Sequence, residues 1–225
     1  MSMFVEYLGG GKGRFSTGGI YVALDDLGSA GAVSRESFHV RDPDGGRFKF
    51  AFDDEAFKVH ERAWICCTSI DLPEFLVGEV CVAEDASVNQ KTLEVEMFKI
   101  TGAGFFQARS FSIIDTTCLS AGSYLMDSHG LWQMVTSIDL EPGIVEVDQI
   151  GTISLSDVIL PIDESGEITT MPFLRCDANV KGITRGKDYA LVRGNPRKDT
   201  HVSVIADNGM RQTFDMSAFI LSDKR

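Results

Sequence analysis

The residue types of a catalytic triad stand side by side at Asp127-Ser128-His129. A triad needs a nucleophile, a base and an orienting acid whose side chains converge on one another. Adjacent residues of an extended chain point to opposite faces, and the sequence contains no G-x-S-x-G nucleophile elbow. The motif therefore does not predict a catalytic site, and we expect the protein not to be an enzyme.

Three further motifs suggest ligand chemistry but are better explained as loops. Gly9-Gly10-Gly11-Lys12-Gly13 resembles a phosphate-binding loop, yet glycine follows the lysine where serine or threonine is required. Asp42-Pro43-Asp44-Gly45 lacks the later ligands of a calcium loop and predicts a hairpin turn. Asp53-Asp54-Glu55 predicts a solvated turn. Since the histidines and cysteines also show no metal-ligand spacing, we expect neither a metal nor a cofactor.

Composition indicates a core-forming chain rather than a disordered or membrane-spanning one. Of the 225 residues 44% are hydrophobic, but apolar runs such as Trp64-Ile65-Cys66-Cys67 are only a few residues long. A bilayer needs about 20 apolar residues in a row, and no basic-then-apolar leader opens the chain. The five cysteines are an odd number for a disulfide framework. We therefore expect buried, reduced thiols in a cytoplasmic protein with no membrane partner.

The elements that must position any binding residues form a repeat. Four segments share the pattern apolar, two residues, glycine, two residues, apolar: 15–21, 75–81, 119–125 and 183–189. After each glycine comes a second pattern, two apolar residues separated by four others: Phe52 and Phe57, Phe106 and Phe111, Ile153 and Val158, Phe214 and Phe219. The two patterns keep step in all four copies. Each glycine predicts a turn with positive φ that leads into a strand.

Strands and sharp turns are expected between the two patterns. Alternating segments such as 93–97 and 202–205 predict half-buried strands. Asp44-Gly45 and Asn208-Gly209 are strong hairpin signals. The four residues inside each closing pair predict a tight 3₁₀ turn, and no segment sustains the apolar spacing of a helix.

Taken together, these features resemble the SH3-like small β-barrel. The fourth copy, residues 183–219, is most similar to the SH3-like modules found in short phage and bacterial proteins, and copy three departs most. The resemblance implies an all-β fold of about four tandem SH3-like barrels with little helix, packed on one another. It also implies a binding role, such as that of a phage-encoded inhibitor or accessory factor.

The predicted domains follow the repeat. We expect a flexible N-terminal lead-in over residues 1–14, then barrel 1 over 15–70 and barrel 2 over 71–115. Barrel 3 should span residues 116–165 and barrel 4 residues 166–225.

Charge is distributed unevenly and leaves several partners open. The net charge is −12, but residues 71–170 carry 17 acidic against 3 basic side chains, whereas residues 171–225 carry 10 basic against 6 acidic ones. An acidic middle with Glu94 and Glu96 could mimic a nucleic acid and block a DNA- or RNA-binding enzyme. The basic fourth barrel could instead bind nucleic acid directly.

A protein partner bound by barrel loops is the main functional prediction. The loops between the first two strands of each copy differ most, and rigid scaffolds commonly present function on loops. Copy three would offer Trp132 and Met134 from a loop over 127–143, unless Trp132 belongs to the core. Copy four would offer Arg193, Arg197 and Lys198 unless that run is a plain solvated loop. Exposed Trp and Arg are favoured in interfaces.

Overall fold

Short β-strands joined by tight turns make up nearly all the regular structure. A computed structural model of the protein describes residues 2–11, 14–26, 37–163, 167–169 and 172–222. Over these residues there are nineteen strands, no α-helix and three 3₁₀ turns, at Ala108–Ser110, Leu155–Asp157 and Met216–Ala218. The strands form four separate antiparallel sheets. The predicted fold class, tandem small β-barrels with little helix, is confirmed.

The first two sheets have five strands each. The first comprises β1 (Ser2–Tyr7), β2 (Ile20–Asp26), β3 (Ser37–Arg41), β4 (Arg47–Ala51) and β5 (Phe57–His60). The second comprises β6 (Ala63–Cys67), β7 (Val80–Val88), β8 (Val95–Ile100), β9 (Gly104–Gln107) and β10 (Phe111–Ile113). Their strand orders are β4-β3-β2-β1-β5 and β10-β6-β7-β8-β9, so both place the fifth strand beside the first.

The last two sheets repeat this arrangement, one of them incompletely. The third comprises β11 (Tyr124–Met126), β12 (Trp132–Asp139), β13 (Ile144–Val147) and β14 (Gly151–Ser154). The fourth comprises β15 (Phe173–Cys176), β16 (Asp188–Arg193), β17 (His201–Ile205), β18 (Arg211–Asp215) and β19 (Phe219–Leu221). The fourth sheet has the order β18-β17-β16-β15-β19. In the third, the fifth strand is reduced to a bridge between Met126 and Ile159.

The N-terminal residues are part of the first sheet. Strand β1 lies between β2 and β5, with Val5 opposite Tyr21 on one side and Val59 on the other. Val5 is fully buried, and Met3 and Tyr7 pack in the same core cluster. The flexible lead-in predicted over residues 1–14 is therefore wrong for residues 2–7, because their apolar side chains complete the core. Lys12 and Gly13 lie outside the described residues.

The structure divides into two compact units. One consists of residues 1–65 and 81–117, and the other of residues 66–80 and 118–225. Inside the first unit, Asp115 accepts a hydrogen bond from the Ile20 backbone N–H (3.3 Å), and Arg41 pairs with Glu94 (2.9 Å). Both contacts join a strand of the first sheet to a residue that lies in a loop next to a strand of the second sheet. Inside the second unit, the third and fourth sheets meet through the loops described below.

All four signature glycines occupy the same kind of turn. Their φ angles lie between 80° and 92° in Gly18, Gly78, Gly122 and Gly186. In each copy the N–H of the next residue donates to the carbonyl three positions earlier: Gly19 to Ser16, Glu79 to Leu76, Ser123 to Ser120 and Lys187 to Thr184. A positive φ at the third position with this hydrogen bond is typical of a type II turn. The predicted role of these glycines is confirmed.

A side chain caps the same backbone group in every turn. The N–H two residues before the glycine donates to an acceptor that differs between copies: Tyr21 Oη, Glu79 Oε2, Ser123 Oγ and Tyr189 Oη. The position of the acceptor also shifts, since the tyrosines lie three residues after the glycine and Glu79 and Ser123 only one. The four turns therefore share a backbone geometry without sharing a side chain.

The third copy places its signature turn differently. In copies one, two and four the glycine N–H donates to the last residue of the first strand: Tyr7, Cys67 and Cys176. In copy three Gly122 precedes the first strand, and its N–H donates to Val135 of the second strand, β12. Copy three therefore keeps the glycine turn, but the carbonyl that accepts the glycine N–H belongs to a strand later in the chain, because β11 and β12 form a hairpin with a short turn.

The closing pairs pack as predicted in two copies. The rings of Phe106 and Phe111 have centroids 6.3 Å apart, and those of Phe214 and Phe219 are 6.0 Å apart. Both pairs are edge-to-face and flank a 3₁₀ turn. In copy one, Phe38 contacts both Phe52 and Phe57.

Candidate functional site

Two loops of the second unit lie against each other and form the candidate site. The β11–β12 turn spans residues 127–131, and the β16–β17 loop spans residues 194–200. The Gly194 N–H donates to the Gly130 carbonyl (3.0 Å), and Leu131 forms a β-bridge with Arg193. The structure thus brings together residues of the two predicted binding loops in copies three and four.

Asp127 holds the first of these loops in shape. Its side chain is 5% exposed, and its Oδ1 accepts hydrogen bonds from the N–H groups of His129 (2.8 Å) and Leu131 (3.0 Å). Its Oδ2 accepts one from the Gln133 amide (3.0 Å). An aspartate whose two oxygens fix its own turn and a neighbouring side chain has a structural role here. Asp127-Ser128-His129 thus forms a turn that is fixed by its own aspartate.

Trp132 lies in a strand and belongs to the core. It opens β12, is 8% exposed and packs in a cluster with Leu174 and Leu191. Its indole Nε1 donates to the Gly194 carbonyl (3.2 Å). This hydrogen bond links the residue that follows the first loop to the residue that begins the second. The predicted loop over 127–143 is therefore wrong for residues 132–139, which form β12, and Trp132 is not an exposed contact residue.

Met134, Glu94 and Glu96, the other predicted binding residues, lie outside the two loops. Met134 is half-buried in β12, opposite Tyr124 of β11. Glu94 and Glu96 belong to the first unit and are exposed. Glu94 is paired with Arg41, and Glu96 accepts a hydrogen bond from the Asn89 side chain (3.2 Å).

The second loop is built around Asn195, a residue that the sequence did not single out. Asn195 is 8% exposed, and its Oδ1 accepts from the Arg197 N–H (2.9 Å). Its own N–H donates to Asp199 Oδ2 (2.8 Å), and its carbonyl accepts from the N–H groups of Lys198 and Asp199. The Asn195-Pro196 dipeptide is a turn signal from which this could have been found. The loop is therefore a fixed, hydrogen-bonded turn that carries exposed Arg197 and Lys198.

A narrow apolar cleft of about 30 Å³ opens beside this loop. We call it the proline cleft, because three of the chain's six prolines line it: Pro161, Pro172 and Pro196. Trp132 and Leu160 also line it, and both are buried. Because proline fixes its own φ, walls of this kind are stiff.

Arg197 stands at the rim of the proline cleft. Its Nη2 donates to the carbonyls of Asp163 (2.7 Å) and Ile162 (3.3 Å), which belong to the chain segment following the third sheet. The guanidinium is thus held in place by backbone while its residue stays exposed.

A wider, more polar hollow of about 530 Å³ borders the same loops. Its lining includes His129, Asp157, Lys198 and Asp199 over an apolar floor that contains Val158. Asn195 lines both the hollow and the proline cleft.

Basic side chains of the fourth barrel fall into two classes. Arg175, Arg185 and Lys187 are paired with Asp188, Asp177 and Asp207 at 3.0, 3.3 and 2.6 Å. The hydrogen bond from Lys187, followed by those from Tyr189 and Thr184, lowers the pKa of Asp207. Arg193, Arg197 and Lys198, by contrast, have no carboxylate of a described residue within 4.0 Å.

Cysteine burial matches the prediction in part. Cys66, Cys67 and Cys176 are buried, and Cys81 and Cys118 are half-buried. Burial raises the pKa of the Cys67 thiol. Over the described ranges, no three His, Cys, Asp or Glu side chains gather in a group that could hold a metal ion. Nor does this part of the chain contain a helix long and apolar enough to cross a membrane.

Comparison with known proteins assigns no family to the chain. No protein-family model matches the sequence, and no curated protein matches it.

Proposed function

We propose that the chain is a non-enzymatic binding protein that docks on a protein partner through the loops of its second unit. One observation carries the proposal: the β11–β12 turn and the 194–200 loop, from two different sheets, meet and are fixed by buried Asp127, Asn195 and Trp132. Rigid loops that present exposed side chains are a common form of binding surface.

The residues presented by these loops suit a protein interface. Arg193, Arg197 and Lys198 are exposed beside a stiff apolar cleft. Arginine next to an apolar pocket is a frequent combination at interface hot spots. The buried thiols support our prediction of a cytoplasmic location, since reduced cysteines are usual there.

The geometry of the triad-like motif supports a non-enzymatic role. Both carboxylate oxygens of Asp127 accept hydrogen bonds, Oδ1 from two N–H groups of the turn and Oδ2 from the Gln133 side chain. A triad acid would instead orient a histidine ring.

The test is affinity capture with the full chain and two matched variants. We expect the wild-type protein to retain one stoichiometric partner from a lysate of its source cells, and Arg193→Glu/Lys198→Glu to lose it. Arg211→Glu is the control, because Arg211 is an exposed cation at the opposite end of β17, across from Ile205. Capture that is equal for all three proteins would refute loop docking.

A second candidate, the acidic nucleic-acid mimic, is favoured by one observation. Residues 110–174 contain no lysine or arginine. Asp139, Glu146 and Asp148 are exposed on the third sheet or its turns, and none forms an ion pair with a described residue. Such a surface suits the basic groove of a nucleic-acid-binding enzyme.

The mimic makes its own prediction. Reversing Glu146 and Asp148 to lysine should abolish binding to such an enzyme, and raising the salt concentration should weaken binding to the wild type. Glu94→Lys/Glu96→Lys extends the test to the first unit. Binding that is insensitive to salt, or that survives both reversals, excludes the mimic.

A further inference from the structure

We propose that the proline cleft and the 194–200 loop, with Arg193 at the end of β16, together hold an acidic peptide segment of the partner. One small aliphatic side chain of the peptide enters the cleft, and neighbouring carboxylates bind Arg197 and Lys198. The inference rests on the proposed function and specifies the chemistry of its partner.

The size of the cleft selects the side chain. A volume of about 30 Å³ is room for roughly two water molecules. A space of this size suits the branched end of a valine or leucine better than an aromatic ring. Because Pro161, Pro172 and buried Leu160 form the walls, the cleft cannot widen easily.

Arg197 supplies the polar anchor at the rim. Only its Nη2 is engaged, with the two backbone carbonyls of residues 162 and 163. Its Nε and Nη1 donate to no described residue. A guanidinium held by Nη2 keeps its charge and can still donate single hydrogen bonds from Nε or Nη1 to a carboxylate, and such charge-assisted bonds are among the stronger ones.

The apolar lining and the exposed cations decide which part of the peptide goes where. Buried Trp132 and Leu160 line the cleft, whereas Arg197 and Lys198 are exposed in the adjoining loop. Moving a carboxylate out of water into an apolar cleft costs far more free energy than moving an aliphatic group. The apolar side chain therefore enters, and the acidic ones remain at the rim with Arg197.

Lys198 and Arg193 extend the positive surface along the loop. Both are exposed and lack an ion pair with any described residue, whereas three other cations of this barrel are paired with aspartates. An acidic segment would supply the missing counter-charges. Residues 193–200 contain no aromatic side chain, although single-stranded nucleic acids need aromatic side chains for base stacking. The loop thus favours a peptide over a nucleic acid.

The experiment begins with a displayed library of random 12-residue peptides selected on the full chain. We expect the enriched peptides to share a valine or leucine flanked by Asp or Glu. The best peptide is then synthesised and its Kd measured by fluorescence anisotropy. Arg197→Gln should raise that Kd about tenfold, as expected when a charged hydrogen bond is lost. Lys198→Gln should raise it less, because that contact is solvent-exposed.

Controls separate binding chemistry from misfolding. Arg211→Gln should leave the Kd unchanged, and thermal unfolding should show that every variant is folded. In the peptide, leucine to alanine and leucine to phenylalanine should both weaken binding, the first by emptying the cleft and the second by exceeding its room. A 12-nucleotide oligo-dT serves as the competing polyanion.

Several results would overturn the inference. These are the absence of any enriched motif, enrichment of basic peptides, a Kd indifferent to Arg197→Gln and Lys198→Gln, or tighter binding of oligo-dT through the same two residues. If a partner protein is still captured and lost with Arg193→Glu/Lys198→Glu, the proposed function stands while the acidic-peptide inference fails.

Discussion

Gly78 lies against the backbone of Leu160 so closely that a β-carbon at Gly78 would stand 2.3 Å from the Leu160 carbonyl oxygen. The two residues are hydrogen-bonded as well, since the Leu160 N–H donates to the Gly78 carbonyl (2.8 Å). Gly78 therefore serves both a turn with positive φ and a close packing contact within the second unit.

Replacing Gly78 by alanine should destabilise the second unit strongly. We expect a loss in the free energy of unfolding of about 3 kcal/mol or more, because strain at positive φ adds to a backbone clash. Gly122→Ala is the matched control: its φ is +92°, and nothing lies within 4 Å of its added β-carbon. It should lose only about 1 kcal/mol. Equal losses in urea unfolding would show that the contact with Leu160 is unimportant.

Replacing Trp132 by phenylalanine should loosen the two loops while preserving the core. The ring still fills its place, but the Gly194 carbonyl loses the indole donor. We expect a loss of about 1–2 kcal/mol and faster hydrogen exchange at the Gly194 N–H. Tyr124→Phe, on the neighbouring strand, is the control and should change both quantities little. Unchanged exchange at Gly194 would contradict the role given to Trp132.

Asp207 should make stability depend on pH at both extremes. Hydrogen bonds from Lys187, Tyr189 and Thr184 lower its pKa, so its stabilising contribution is present above the pKa of unfolded aspartate, about 3.9, and is lost as the pH falls through the lower folded value. The bond to Asp207 raises the pKa of Lys187, whose contribution is lost above about 10.4.

Asp207→Asn tests this dependence. The variant should be less stable than the wild type between pH 5 and 9, and the difference should shrink below about pH 4 and above about pH 10.5. Thermal unfolding measured across the pH range provides the comparison. Asp215→Asn controls for the acid limb alone, because Asp215 has its pKa lowered by Ser217 and has no lysine partner. A difference that stays constant from pH 2 to 11 would contradict the expectation.

The ion pair between Arg41 and Glu94 should contribute little to the stability of the first unit. Its side chains are 35% and 57% exposed, and exposed pairs are worth about 0.2–1 kcal/mol. A double-mutant cycle with Arg41→Gln and Glu94→Gln should give a coupling energy in that range that declines in 0.5 M salt. Glu96→Gln replaces Glu94→Gln in the control cycle and should show no coupling. A coupling above 2 kcal/mol would mean that the pair is effectively buried.

The sequence was informative where structure depends on local rules. The signature glycines, the Asp-Gly and Asn-Gly hairpins and two closing phenylalanine pairs are formed by residues close together in the chain. It was less informative where distant residues decide. Trp132 is buried against Leu174 and Leu191, and its indole N–H finds its acceptor at Gly194, 62 residues later. Residues 2–7 form a strand because β5, some fifty residues later, pairs with them.

Most of the candidate site falls in the second category. Arg193, Arg197 and Lys198 could be proposed from charge and loop position alone. The cleft beside them combines segments from six parts of the chain, around residues 77, 132, 160, 172, 196 and 221, and no local pattern predicts that meeting. The partner of the glycine turn in copy three could not be predicted locally either, because the glycine pattern is intact while the Gly122 N–H donates to β12 and not to an earlier strand.

The capped turns have a consequence for how the four copies diverge. A phenol, a carboxylate and a hydroxyl each accept a hydrogen bond from the backbone N–H two residues before the glycine. Mutation can therefore exchange these groups as long as an oxygen atom reaches that N–H. The copies therefore resemble one another more in the position of the acceptor oxygen than in the identity of the residue that supplies it. A search for further copies of this repeat would do better to compare the position of the acceptor oxygen around a type II turn than to compare amino-acid identities.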